Sequence, residues 1–396
     1  MANRLLFYYG DTLMGDINKY AKNRQLTETL KSEATSATAD TFTFSINWRL
    51  FQRFIDKTTT ESPSTFLKVG KTRIVFETDG YVRFAGWLSV KPARSGTGAS
   101  QNLSLTFYEY FARLSGDLVC DASNPTDPAV SFNEGAHLVV KDLIDLFITH
   151  ASDAGETLDW SYGTVDTLAN KTKTYKDFQT ISKALCDMMN NVTGAGKFDV
   201  VFRTDTADYT HQYIDILKPR GANKSHIVIR FPGDGVYKLW ANDFSVEETN
   251  DYASHIIVAG NGQVGDVAEG EQTANIGTAE DTDFASEYCY WRQYVTRSDL
   301  ESQDAVNSAA QTELASRSFA QETPEIRAVG LPIEWGNEAN LNNGLALGDI
   351  FYFAEDTDDL EDSSGYYRII GMTSSWDDNG VATVDLKLLP AEDPNE

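Results

Sequence analysis

The sequence predicts a mainly β protein with an α+β insert, in which one small β-domain occurs twice. Three observations predict this fold class. Long stretches alternate apolar and polar residues with a period of two, as half-buried strands do. One such stretch is repeated near the two ends of the chain. Between the copies lie two segments whose apolar residues recur at helical spacing.

The repeated stretch is a three-stranded meander that spans residues 67–107 and again residues 345–389. Each copy starts with an apolar-x-apolar-Gly segment and ends with an alternating strand. The central strand carries the pattern Gly-Tyr-x-Arg-apolar-x-Gly-apolar-x-Ser, at residues 80–89 in the first copy and 365–374 in the second. Two copies with the same internal order indicate one folding unit used twice.

The length and composition of the chain fit a soluble protein of about two to four domains. The 396 residues are 41% hydrophobic and 23% charged, and no apolar run approaches the length that spans a bilayer. The N-terminus reads as a first strand because its apolar run is too short for a secretion signal. Three cysteines, Cys120, Cys186 and Cys289, are far apart and fit a reducing cytoplasm better than a disulfide framework or metal site.

The net charge of −26 argues against tight binding to nucleic acid or to an anionic membrane face. Two interpretations stay open. The charge serves solubility, or it forms a surface that nucleic acid passes without sticking.

The first β-domain is predicted over residues 1–118. A clean alternating strand at residues 41–46 is followed by a short helix at Trp48–Asp56 and then by the first meander. The polar segment 25–40 is a strand or a loop, and its many threonines favour a strand.

The α+β insert is predicted over residues 119–235. Helices are expected at residues 137–151 and 175–192, the second with Thr174 and Asp177 as a cap pair and Gly194 as its stop. The strands expected after them form a short antiparallel sheet, at residues 198–203, 213–217 and 226–231.

The second β-domain is predicted over residues 236–396, with a loop or small subdomain around residues 260–290. The stretch 260–284 lacks periodicity and is expected to be a flexible surface loop. A capping box at residues 298–301 opens a helix that runs to about residue 320. The strands expected before the second meander are residues 244–248, 255–258, 287–294 and 326–333.

No motif for catalysis or cofactor binding has the context that its chemistry needs. Residues 260–265 match Gly-x-Gly-x-x-Gly after a strand, but no apolar helical stripe follows to hold a pyrophosphate, so a Gly-rich turn is expected. The acidic run 356–362 has calcium-type ligands without the central Gly of a standard loop. Glu334 and Glu338 flank Trp335, as acids do in some sugar-cleaving sites, but with 59 acidic residues such a coincidence is expected. The five histidines form no metal-spaced pair.

The duplicated β-domain, the insert between its copies and the long helix before the last meander resemble the tail hub family of tailed bacteriophages. The matching segments are residues 67–89, 303–320 and 345–389. This family includes baseplate hub and tail-tip hub proteins, minor tail proteins and the structural N-terminal part of tail-associated lysins. The resemblance covers most of the chain and carries no catalytic residues.

The resemblance implies tube-type β-barrels and a homotrimer, whose subunits make a ring of six similar barrels. A subunit that contains the same barrel twice lets a threefold tip match a sixfold tube, because three subunits then supply six similar barrels. The implied location is the virion tail tip, after assembly in the host cytoplasm. The implied partners are a distal tail protein or tail tube protein, the tape measure protein and fibre or receptor-binding proteins, with DNA passing through the channel without stable binding.

Longer members of the family append hydrolase or fibre domains, and none is visible before Glu396. The sequence therefore predicts a structural protein that is not an enzyme, with no catalytic residue, cofactor or metal. Two alternatives stay open. One is a carbohydrate-binding host-recognition protein at the tail tip, and the other is a cell-wall hydrolase that depends on Glu334 or Glu338.

Overall fold

A computed structural model of the chain describes residues 3–33, 39–56, 62–78, 80–90, 92–96, 101–120, 130–175, 178–189, 197–218, 220–231, 240–248, 253–260, 275–287, 290–297, 300, 302–315, 317, 322–329, 344–355, 364–377 and 382–394. The strands in these ranges are β1 (Asn3–Tyr9), β2 (Thr12–Asp16), β3 (Ala21–Thr29), β4 (Thr41–Asn47), β5 (Thr72–Thr78), β6 (Tyr81–Leu88), β7 (Ala93–Ser95), β8 (Asn102–Glu109), β9 (Val130–Gly135), β10 (Trp160–Val165), β11 (Asn170–Tyr175), β12 (Asp199–Thr204), β13 (Gln212–Leu217), β14 (Asn223–Phe231), β15 (Trp240–Glu248), β16 (His255–Ala259), β17 (Ile276–Glu280), β18 (Arg292–Thr296), β19 (Glu322–Val329), β20 (Ile350–Glu355), β21 (Gly365–Trp376) and β22 (Ala382–Pro390). The helices are α1 (Trp48–Asp56), α2 (Ala136–Asp153), α3 (Ile181–Met189), α4 (Thr282–Glu287) and α5 (Gln303–Ala315). None of these helices is both long and apolar enough to cross a membrane.

Fourteen strands form one continuous sheet, so the predicted mainly β fold with an α+β insert is confirmed. The sheet runs in the order β2-β1-β5-β6-β8-β4-β3-β21-β20-β14-β15-β19-β22, with β7 attached to β8. Its first half, β1 to β6 and β8, is the N-terminal barrel. Its second half, β14, β15 and β19 to β22, is the C-terminal barrel, which closes because each of these six strands pairs with two others of the set.

Residue patterning explains how each strand is covered. Strand β4 alternates, and its Phe42, Phe44 and Ile46 point into the barrel core while the residues between them are partly exposed. Strand β5 is buried along its whole length, because one face fills the barrel and the other packs on the insert. An unbroken apolar run such as Ile-Val-Phe in β5 is typical of a strand covered on both faces.

The insert packs α2 and α3 on a three-stranded sheet of order β10-β13-β12, with the hairpin β9–β11 beside them. The first predicted helix is confirmed as α2. The second is shorter than predicted, because α3 begins at Ile181 and Thr174 belongs to strand β11, paired with Ser131. The proposed cap residue Asp177 and the stop Gly194 lie outside the described residues.

The predicted strand 226–231 forms, but its predicted place in the sheet of the insert is wrong. As β14 it pairs with β20 and β15 of the large sheet. Its buried Ile227 and Ile229 join the core of the C-terminal barrel, together with Phe351 and Phe353 of the neighbouring strand β20.

A small subdomain lies between β15 and β19 in the chain. Its strands β17, β16 and β18 form a sheet covered on one face by α5. The expectation of a loop through residues 260–284 is wrong over residues 276–280, which form β17, and after Thr282, where α4 begins. The strand predicted at 287–294 is displaced to β18, and the predicted long helix is α5 over Gln303–Ala315, with Ser298, Asp299 and Glu301 of the capping box outside the described residues.

Candidate functional site

The two barrels share one strand order. If the strands of each barrel are lettered a to f in chain order, both rings run a-d-e-f-c-b. Strands a to f are β1, β3, β4, β5, β6 and β8 in the N-terminal barrel, and β14, β15, β19, β20, β21 and β22 in the C-terminal barrel. The repeated sequence motif occupies strand e in both, between strands d and f. The two motif copies therefore have equivalent neighbours.

The rings differ at strand a. Strand β1 runs antiparallel to β5, whereas β14 runs parallel to β20. The C-terminal ring is closed by a pairing of Arg230 in β14 with Trp240 in β15. In the N-terminal barrel β2 pairs with β1 at the corresponding edge.

A glycine precedes strand d in both barrels and has the same conformation. Gly70 and Gly348 each lie two residues before the strand, with φ of +75° and +87°. The N–H of Gly70 donates to the carbonyl of Leu88, and that of Gly348 donates to the carbonyl of Ile369, both in strand e. The left-handed backbone favours glycine, which explains the repeated apolar-x-apolar-Gly segment.

The barrels are joined by pairing of β3 with β21, from Thr29 opposite Gly371 to Arg24 opposite Trp376. Trp376 lies in the core of the N-terminal barrel, with its ring centroid 5.0 Å from that of Phe76. Leu30, which follows β3, lies in the core of the C-terminal barrel. Each barrel therefore contributes a side chain to the core of the other.

Buried charges surround this junction. Lys31 is 6% exposed, and its Nζ lies 2.5 Å from Glu109 Oε1 and 3.7 Å from Asp40 Oδ2. Arg83 pairs with Glu28 at 3.2 Å, and both side chains are buried. Such groups cost several kcal/mol to desolvate and are tolerated only when paired. A shift at the junction that separated one of these pairs would leave a charge buried alone, at a cost of about 3–5 kcal/mol.

Burial and pairing together shift the pKa values of these groups. Burial and, to a smaller extent, the Asp40 carboxylate together raise the pKa of Glu109 to about 7, against the pull of Lys31. Burial alone would lower the pKa of Lys31, but attraction by Asp40 and Glu109 outweighs it and raises that pKa. Burial also raises the pKa of Glu28, although Arg83 opposes the change. Glu109 tends to hold its proton mainly because it is buried, and also because the single cation Lys31 faces the two carboxylates of Asp40 and Glu109.

The chain passes from the insert into the C-terminal barrel through this same region. Asp199 of β12 accepts hydrogen bonds from the backbone N–H of Ser32 at 3.2 Å and of Arg220 at 3.1 Å. The backbone at Gly221 approaches that at Gly348 so closely that a Cβ on either would collide with the other segment. The insert is thereby tied to both barrels.

The two motif arginines meet at Arg220. Arg368 of β21 donates from Nη2 to the carbonyl of Arg220 at 3.0 Å and from Nε to that of Gly348 at 3.3 Å. Burial lowers the pKa of Arg83 of β6 against the attraction of Glu28, and the positive charge of Arg220 contributes a smaller lowering. The repeated Arg therefore serves the junction of barrel, barrel and insert.

Comparison with solved structures places this architecture among known folds. The chain is similar to a tail protein from Neisseria meningitidis, with a TM-score of 0.61, 11% identity and coverage of 98% of this chain and 97% of that one. It is also similar to the 43 kDa tail protein of prophage MuSo2 from Shewanella oneidensis, with a TM-score of 0.60, 11% identity and 98% coverage of both chains. The chain has the fold of these phage tail proteins.

A prophage tail protein from Listeria monocytogenes is also similar, with a TM-score of 0.51, 10% identity and coverage of 97% of this chain and 94% of that one. No protein-family model and no curated protein sequence matches the chain. The tail-protein resemblance predicted from the sequence is confirmed as a shared fold, which spans nearly the whole of each neighbour.

Most motifs weighed in the sequence fall outside the described part of this tail-protein fold. These are residues 261–265 of the Gly-rich pattern, the acidic run 356–362, Cys289 and the Glu334 to Glu338 segment. Gly260 directly follows strand β16, and a Cβ on it would collide with the Leu300 carbonyl and with Val306 of α5. In the described part of the chain no group of three or more His, Cys, Asp or Glu side chains could hold a metal ion.

One histidine lies in a chain of side chains that the sequence analysis missed. His211 Nε2 is 2.8 Å from Ser161 Oγ, and His211 Nδ1 is 2.8 Å from Asp159 Oδ1. This is the order of nucleophile, base and acid in a Ser-His-Asp triad. Ser161 lies within strand β10, opposite Tyr213, and not on a strand-to-helix turn.

The junction residues were also missed. Strand β21 has 12 residues where β6 has eight, and the extra length carries Trp376 at its end. Unequal length of the repeated central strand was the available signal. No signal in the sequence marks Lys31 and Glu109 as buried, because charged residues are normally predicted to be exposed.

Proposed function

We propose that this chain is a structural hub component of the tail of a tailed phage or phage-like particle. The observation that carries the proposal is the pair of joined barrels with one strand order. Because each chain contains two barrels with the same strand order, three copies of the chain would form a ring of six similar barrels. Such a ring would match a threefold tail tip to a sixfold tail tube. Coverage of whole tail proteins by the shared fold supports the same role.

The proposed assembly is a homotrimer at the virion tail tip, formed in the host cytoplasm. It closes or extends the tail tube below a distal tail protein or tail tube protein, and forms the channel for the tape measure protein and DNA. Fibre or receptor-binding proteins attach around it. We propose no catalytic role for the chain.

The proposal includes the predicted division of the chain into three domains, residues 1–118, 119–235 and 236–396. Strand β14 lies before residue 236 in the chain but belongs to the second barrel. Rigid connection of the barrels supports the assembly, because a channel wall must hold its shape. Shared strands and mutual core residues provide such a connection.

The charge distribution supports an alternation of walls. Residues 1–235 contain 27 Asp or Glu and 26 Lys or Arg, whereas residues 236–396 contain 32 and seven. Almost all of the net charge of −26 therefore lies in the C-terminal segment. In the proposed ring, nearly neutral and strongly acidic barrels alternate, and the acidic ones repel passing DNA.

The test is the mass and symmetry of the purified full chain. Light scattering after size exclusion should give three times the 43.9 kDa chain mass, and negative-stain micrographs should show threefold rings with six lobes. The rings should bind the distal tail protein of the same phage. A monomer at all concentrations, without affinity for that protein, would refute the proposal.

A further inference from the structure

The N-terminal barrel and the insert enclose a cleft of about 630 Å³. Residues 9–11, Gly70, Lys71, Arg73 and Trp87 line it from the barrel, and residues 155–160 and Thr210 line it from the insert. Ligand sites usually have volumes of about 300–1,000 Å³ and occur preferentially between domains. Nothing in the proposed tail role uses this cleft.

Hydrogen-bond donors lie deep in the cleft and carboxylates lie at its rim. Arg73 is 5% exposed, and it donates to the Gly10 carbonyl at 3.0 Å, the Tyr110 hydroxyl at 3.2 Å and Asp11 Oδ1 at 3.3 Å. The side chains of Asp11 and Asp159 are 87% and 57% exposed. Three of the five N–H groups of the Arg73 guanidinium are engaged in this way by the described residues, so a ligand in the cleft would meet the remaining two beside exposed carboxylate acceptors.

The wall contains an indole N–H with no acceptor. Trp87 Nε1 is buried and makes no hydrogen bond within the described residues. A buried N–H left unpaired costs about 1–3 kcal/mol, so such a group calls for a specific reason. A ligand oxygen in the cleft that Trp87 lines would supply the missing acceptor.

We infer that this cleft binds a neutral hexose unit of a saccharide. A hexose offers ring oxygens and hydroxyls to the Arg73 and Trp87 side, hydroxyl donors to the carboxylates at the rim, and apolar C–H surface to Trp160 and Tyr9. Aromatic rings combined with a few fixed polar groups suit such an amphipathic ligand. The sugar is neutral because three carboxylates line the cleft, at Asp11, Glu156 and Asp159, and they repel an anion.

The test uses the full chain, titrated by calorimetry with glucose, galactose, N-acetylglucosamine and glucuronate. Trp87→Phe keeps the ring and removes the N–H, and Lys71→Ala removes a cation at the cleft. We expect saturable binding of at least one neutral sugar, weakened about fivefold or more by either variant, since one hydrogen bond contributes about 1 kcal/mol. Lys183→Ala, on an exposed position of α3, is the matched control and should bind as the wild type does.

Equal melting temperatures of the four proteins show that the cleft variants fold. The inference is overturned by absence of saturable binding for all neutral sugars up to about 50 mM. Equal affinity of Trp87→Phe and wild type, or binding of glucuronate alone, overturns it as well. If Trp87→Phe still forms the trimeric rings, the failure concerns sugar binding alone and leaves the proposed tail role untouched.

Discussion

Leu30 and Trp376 each lie in the core of the barrel whose strands carry or directly precede the other residue. Leu30 follows a strand of the N-terminal barrel and is 1% exposed in the core of the C-terminal one, while Trp376 ends a strand of the C-terminal barrel and is 5% exposed in the other core. Between them, β3 and β21 pair in register. The two barrels therefore cannot separate without opening both cores.

Trp376→Ala should destabilise the whole chain and not one barrel alone. Removal of a buried Trp costs about 3–5 kcal/mol through lost burial and the cavity that remains. Urea unfolding, followed by far-ultraviolet circular dichroism, should show the loss. Leu13→Ala, at a side chain that is 47% exposed, should stay within about 0.5 kcal/mol of wild type. A loss below about 1 kcal/mol for Trp376→Ala would contradict the mutual packing.

Much of this architecture follows from local patterning. Alternation predicts β4, and the apolar stripe of α1 predicts its bounds, because each buries one face in a single core. The repeated motif predicts equivalent strands β6 and β21, a relation that needs no long-range information. The spacing of apolar residues along a helix or strand can be read from the local sequence, because it follows from the one face that the element buries.

Other features depend on contacts that a sequence does not display. Strand β14 has the composition of a strand in either sheet, and only its long-range pairing with β20 decides where it belongs. The Lys31–Glu109 pair is buried because three separate parts of the chain surround it. Charged residues carry no sequence mark of such burial, since nearly all of them lie on surfaces.

Gly348→Ala and Gly70→Ala test the repeated glycine in a matched pair. Both glycines have positive φ, so alanine at either costs about 1 kcal/mol of backbone strain. A Cβ at Gly70 meets nothing within 4 Å, whereas at Gly348 it collides with the backbone of Arg220. We expect Gly348→Ala to lose about 2 kcal/mol more than Gly70→Ala in urea unfolding, because a rigid backbone must move. Equal losses would show that the close approach of the Arg220 backbone to Gly348 does not limit stability.

Glu109 should make stability fall as pH rises. Burial and the Asp40 charge raise its pKa from 4.5 to about 7 in the folded chain, so the folded state holds a proton that the unfolded state releases. The stabilisation is complete below pH 4.5 and is lost as pH rises through about 7. Urea unfolding at pH 5 and pH 8 should differ by about 1–3 kcal/mol more in wild type than in Glu109→Gln. Glu325→Gln, at a partly exposed surface ion pair, serves as control and should retain the wild-type pH dependence.

The Ser161–His211–Asp159 chain should hold the fold and not cleave substrates. An acyl-enzyme needs two N–H donors that converge on one oxyanion. Ser161 lies in the part of β10 that pairs in unbroken register with β13, where the N–H groups lie within the sheet plane, away from the side chain. A fluorophosphonate probe should therefore leave Ser161 unlabelled in the full chain, while labelling an unrelated serine hydrolase in the same tube. Ser161→Ala should cost about 1 kcal/mol in urea unfolding through the lost hydrogen bond to His211. A probe adduct mapped to Ser161 by mass spectrometry, and absent in Ser161→Ala, would instead establish a nucleophile and overturn the non-enzymatic role.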